Sequence, residues 1–188
     1  MNTTENTTTR TQLTSNLSPS EREEEKGIYT MPPTAKVWVY QSNKALSDTE
    51  VKAIEAAGIK FITQWAAHGA SLDASFDVLY NRFIVLAVNE QQANASGCSI
   101  DSSVRFIKGL EQQFNLNLFD RMQVAYHDDN AINACHFNDL YAQLTALGKD
   151  KTQIANTIVF NNMITTKQEF DSKWEVPLKD SWQSKILE

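Results

Sequence analysis

The stretch Phe83-Ile84-Val85-Leu86-Ala87-Val88 decides the fold class, because it is apolar at every position and so has no face to turn toward water. That is the pattern of a central strand covered on both sides. Immediately upstream, Phe76, Val78 and Tyr80 alternate with polar or exposed neighbours, so the two segments read as a hairpin.

Working outward, Val37-Trp38-Val39-Tyr40 follows the pair Pro32-Pro33 as a run of branched and aromatic residues, the first strand. Ser47-Asp48-Thr49-Glu50 has the spacing of a capping box. Val51, Ile54, Gly58, Phe61, Ile62 and Trp65 continue it as one apolar stripe, and Gly69 offers a left-handed cap, giving a helix over roughly 48–68. Downstream, Ile100, Val104, Ile107, Glu111 and Phe114 set a second helix, with Ser99 and Asp101 at its positive end. Met122 to Tyr126 then supplies a fourth strand. The order βαββαβ predicts an α+β fold, a ferredoxin-like sandwich with a C-terminal helical extension. That extension comprises a helix over 135–147, a short strand over 157–160 and a last helix opened by the capping box Thr166-Lys167-Gln168-Glu169. In it Phe170 meets Trp174, and Trp182 docks the C-terminus.

Length allows one domain among the 188 residues. Residues 1–35 hold seven threonines before position 16 and few large apolar side chains, so a disordered tail is expected there and a single domain over 36–188. Five acids against three bases leave the tail at −2 and the body at −4 of a total of −6. With no basic cluster to displace counterions, nucleic acid is not the expected partner. The run 83–88 is far shorter than the roughly 20 residues of a membrane span, and residues 1–20 contain no signal-peptide core, so a cytoplasmic protein is expected. In that compartment Cys98 and Cys135 are free thiols, and the sequons at Asn2, Asn6 and Asn16 carry no glycan.

On the segments Trp65-x-x-His68-Gly69, Phe83 to Glu90, Ser96-Gly97-Cys98-Ser99-Ile100-Asp101, Val159-Phe160-Asn161-Asn162 and Ser181-Trp182, the domain resembles a small uncharacterised bacterial family. Its members often carry the inherited name "ABC transporter ATPase". The chemistry that name requires is absent. A P-loop needs Gly-x4-Gly-Lys-Ser/Thr, whereas Gly148-Lys149 is followed by Asp150 and Gln143 stands where the first glycine belongs. The resemblance implies no catalytic residues.

The most informative stretch for function is residues 95–103, where small polar residues and a glycine meet a helix start, since free amides there can hold an anion. Ser96, Gly97, Ser99 and Ser102 are the candidate ligand- or cofactor-binding residues, although no cofactor class follows from them. Cys98 precedes the helix, where the dipole favours a thiolate. In an enzymatic reading Cys98, His68 and Asp101 are the catalytic residues, but two parallel helices would place His68 at the opposite edge of the sheet from Cys98. His127, Asp128, Asp129, Cys135 and His136 are metal-ligand types without the close pairing of zinc sites, so no metal is expected. The four tryptophans read as core. Arg82 to Val88 lacks the glycine and further aromatics of an RNA-recognition strand. The favoured expectation is a binding or interaction module for a small molecule or a protein partner. A small-molecule or thiol-dependent enzyme using Cys98 is the alternative.

Overall fold

The computed structural model describes residues 27–91, 95–129 and 131–188, and the fold is α+β. Its first half builds a three-stranded antiparallel sheet from β1 (Lys36–Gln41), β4 (Asp73–Leu79) and β5 (Phe83–Asn89), in the order β1-β5-β4. Every residue of β5 is buried, as its unbroken apolar run requires. Alternation sends Ile84, Leu86 and Val88 into one core with Ile54, Trp65, Ile107 and Leu110, which come from helices α1 (Asp48–Gln64) and α2 (Gly97–Phe114) and the residue after α1. Phe83, Val85 and Ala87 point the other way, into a second core with Ala125, Phe160 and Trp174.

That second core is the join to a four-stranded sheet of order β7-β6-β8-β9, made of β6 (Gln123–Asp128), β7 (Ala131–His136), β8 (Ile158–Phe160) and β9 (Glu175–Pro177). The far side of this sheet buries Val124, Tyr126 and Val159 against Leu140, Leu144, Ile154 and Leu178, contributed by α3 (Leu140–Ala146), α4 (Lys151–Asn156) and a C-terminal 3-10 turn. The described chain therefore stacks helices, sheet, sheet and helices as four layers.

Several expectations are corrected. The strand foreseen over 122–126 forms as β6 but pairs with β7 and β8 rather than with β1, because residues 131–136, read as loop and helix, are a strand that claims it. The first sheet thus lacks the fourth strand of a ferredoxin-like sandwich, and one edge of β1 stays largely open. Helix α1 carries the foreseen capping box but ends at Gln64. His68 and Gly69, at φ 52° and 82°, instead form the two-residue turn of a small hairpin, β2 (Ala66–Ala67) and β3 (Ala70–Ser71). The domain also begins earlier than Lys36: Ile28 and Ala35 are fully buried in the second core with Met31, and the Asp77 carboxylate accepts from Ile28 N–H at 2.7 Å. A tail boundary at 35 overlooked these three apolar residues; positions 1–26 lie outside the described residues. In the second half the helix foreseen over 135–147 shrinks to α3. Asp150, conspicuous only as the residue that spoils a P-loop, is the N-cap of α4 in a capping box with Gln153. Only half of the box at Thr166 forms, opening α5 (Lys167–Lys173): Thr166 accepts from Glu169 N–H, while the Glu169 carboxylate accepts from Thr165. Phe170 and Trp174 stack at 4.5 Å, as their one-turn spacing predicts, and Trp182, expected to dock the C-terminus, stacks on Phe137 at 5.1 Å. A Cβ at Gly58 would lie 1.9 Å from the Phe76 ring, so glycine is what lets α1 approach β4 this closely.

Candidate functional site

The segment 95–103 starts α2 as expected, but its polar groups are used by the helix itself. Ser96 is the N-cap and accepts from Ser99 N–H, where the sequence pointed to Ser99 as a cap. Ser99, Ser102 and Ser103 donate their hydroxyls to the carbonyls of Ser96, Ser99 and Ile100. Gly97 has open space where a Cβ would stand, so no close approach demands it, and Cys98 and Asp101 are exposed.

The supposed separation of His68 and Cys98 does not hold. Because β1 and β4 flank β5 and both oppose its direction, α1 and α2 run antiparallel, which brings the end of the first to the start of the second. The Trp65 indole donates to the Ser99 carbonyl at 2.8 Å, and the hairpin carrying His68 lies against α2. His127 is engaged elsewhere, its Nε2 2.9 Å from the Glu175 carboxylate. Among the described residues no cluster of His, Cys, Asp and Glu suits a metal ion.

A different site emerges at the open edge of β1. A cavity of about 640 Å³ runs along all of β1, from Ile100 and Val104 of α2 past Phe119 and Arg121 to Phe160 and Gln183. Its size is that of a small-ligand site. Two of the residues that line it, Gln41 and Gln183, are 4% and 1% exposed, and each keeps one polar atom without a partner among the described residues: Gln41 Nε2 and Gln183 Oε1.

Their neighbours dictate which atom is spare. The Trp174 indole can only donate, and it does so to Asn162 Oδ1 at 3.0 Å. Asn162 must then present Nδ2, which donates to Gln41 Oε1 at 2.9 Å and leaves Gln41 Nε2 with no partner among the described residues. The Phe160 carbonyl can only accept, and it takes Gln183 Nε2 at 3.1 Å, leaving Gln183 Oε1 over. A buried polar atom without a partner costs about 1–3 kcal/mol. Gln41 and Gln183 carry one spare donor and one spare acceptor, and both residues line the one cavity.

The charges are arranged likewise. Lys36 is neutralised by Glu90 at 2.8 Å. Asp120 accepts from Met122 N–H and Gln123 Nε2. Arg121 touches only the Met163 sulfur, at 3.7 Å, and has no carboxylate partner among the described residues. Burial pushes the Tyr40 phenol up, while the Arg121 charge pulls it down, which places the guanidinium near the C-terminal end of β1.

Gln41, Gln183 and Arg121 were not singled out in the sequence, although one sign was present. Val37, Val39 and Gln41 alternate onto one face of the first strand, so Gln41 is a polar residue in line with two apolar ones. Gln183, by contrast, lies in an irregular C-terminal segment where no periodicity marks it. No family model, curated protein or solved structure matches the chain. Among the described residues no helix is long and apolar enough to cross a membrane.

Proposed function

We propose that the protein is a binding module whose ligand occupies the cavity at the open edge of β1. The observation that carries this is a cavity along β1 whose lining includes two buried amide side chains, Gln41 and Gln183, each with one polar atom unpartnered among the described residues. We read the first sheet as a ferredoxin-like unit whose fourth position, beside β1, is left for a ligand instead of a strand. A probe with an aromatic body and a negative charge suits the walls around Phe119 and the guanidinium of Arg121. Anilinonaphthalene sulfonate, followed by fluorescence, is expected to bind at one saturable site. Arg121→Glu, a change at the surface, should weaken it about tenfold or more. Absence of saturable binding, or equal binding by the variant, overturns the proposal.

One observation favours a second reading, a thiol-dependent enzyme. The Trp65 to Ser99 hydrogen bond holds the His68 hairpin beside the helix turn that carries exposed Cys98. If the two side chains work together, alkylation of Cys98 by iodoacetamide at neutral pH slows in His68→Ala. Cys135 serves as the internal control, since burial, with a smaller contribution from Asp139, pushes its thiol up to about 11. Unchanged Cys98 kinetics in the variant dismiss the pair.

A further inference from the structure

We infer that the cavity takes an extended peptide segment bearing a carboxylate, which adds to the open edge of β1 as a short strand. This rests on the binding reading above and specifies the ligand class.

The first argument is the backbone of β1. Val37 N–H donates to the Thr165 carbonyl and the Ala35 carbonyl accepts from Lys167 N–H, both at 2.9 Å, so the odd-numbered residues of the strand turn their backbone groups away from β5. The chain segment 165–167 thus already pairs as a strand with the first part of this edge, through the bridge Lys36 to Thr166. It then leaves in a turn closed by Ile164 N–H on the Asn161 carbonyl, and the lane beyond is not continued. The outward N–H and C=O of Val39 have no protein partner among the described residues, and they border the cavity. An edge of this kind is the template for strand addition.

The second argument is the side chains. The spare polar atoms of Gln41 and Gln183 are an amide donor and an amide acceptor, the two kinds of group that a peptide unit pairs with. The third is charge: Arg121 is the cation in the wall that no carboxylate pairs with among the described residues, and it stands at the Tyr40 end of β1. A charge-assisted contact there favours a carboxylate, either a chain terminus or an acidic side chain.

Nuclear magnetic resonance titration of the full chain tests this with acetylated tetrapeptides at millimolar concentration. Ac-Val-Thr-Val-Thr is used as the free acid and as the carboxamide, alongside the carboxamide Ac-Val-Thr-Glu-Thr. The free acid, the glutamate peptide or both should shift the Val39 amide and the Gln41 side-chain amide and bind about tenfold tighter than the neutral carboxamide. Which of the two does so identifies the source of the carboxylate. Methylating alternate peptide nitrogens should abolish the shifts, and Arg121→Ala should erase the preference for the carboxylate. If the peptides leave Val39 and Gln41 unmoved while anilinonaphthalene sulfonate still fills the cavity, the site is for small molecules and the peptide assignment falls alone. If neither binds, both proposals fall.

Discussion

Two stretches of the space between the sheets meet at Phe160 and are built on different terms. On one side Tyr80, Phe83, His127 and Trp174 surround the Phe160 ring with centroids 4.5–5.5 Å from it. The Glu175 carboxylate there is matched on both oxygens: the Tyr80 hydroxyl donates to one at 2.7 Å and His127 Nε2 meets the other at 2.9 Å. Tyr80 even holds a left-handed backbone, φ 54°, a conformation rare for a bulky residue and tolerated where surrounding contacts fix it. On the other side lies the cavity, with Gln41 and Gln183 half satisfied. The same two sheets therefore fill one stretch with packed rings and leave the next open. The open one is not a failure of a sequence unable to fill space, which is why we assign it to a ligand.

The largest expected effect tests the closed stretch. Phe83 is fully buried and contacts Phe160 at 4.5 Å and Trp174 at 5.1 Å between ring centroids. Phe83→Ala should cost about 3–5 kcal/mol in urea denaturation, the sum of lost transfer energy and residual cavity. Phe119→Ala, at the cavity, removes a ring that is 38% exposed and should cost less than about 1 kcal/mol. Similar losses for both would erase the distinction between the two stretches.

A middle-sized effect follows from the carboxylate that completes the closed side. Burial alone would raise Glu175, but the hydrogen bonds from His127 and Tyr80 outweigh it and hold the group below the ordinary carboxylate range. Burial, joined by the hydrogen bond to Glu175, holds the Tyr80 phenol well above its own. A depressed carboxylate contributes stability that is present above its unfolded pKa, about 4.3, and is lost as pH falls through the folded value. Because the group is partly in solvent, Glu175→Gln should cost only about 0.5–1 kcal/mol at neutral pH, and it should flatten the acid side of the profile of melting temperature against pH. An unchanged acid limb would show that the network does not hold the sheets together.

What could be read in advance follows the same division. The run 83–88 announces a doubly covered strand, and the capping box at Ser47 announces α1, because both are local patterns with a direct physical cause. The partner of β6 was illegible. Residues 131–136 alternate only weakly, with Ala131, Asn133 and Ala134 offering little β-forming bias, and they become a strand by tertiary pairing. From that one miss follow the misplaced fourth strand and the unseen open edge. The cavity escaped because it joins residues as far apart as Gln41 and Gln183. The serine-rich helix start drew attention instead, since a concentration of small polar residues looks the same in sequence whether it serves a ligand or caps its own helix.

The smallest effect is the sharpest test of the open stretch. Gln41→Leu removes an unpartnered buried donor, which is a gain, and also removes the acceptor of Asn162 Nδ2, which is a loss of about 0.5–1.5 kcal/mol. Asn162 is only half-buried and can turn that amide to water. The two contributions oppose each other, so the net change in urea stability should stay near zero with an unchanged denaturant slope. This is the reverse of Glu175→Gln, where every hydrogen bond at the group is already made. If Gln41→Leu proves as costly as Glu175→Gln, the Trp174-Asn162-Gln41 chain is a structural network like that around Glu175, and the contrast between the two stretches disappears. If stability is kept while binding of the peptide or of anilinonaphthalene sulfonate falls, the buried amide is present for the ligand rather than for the fold.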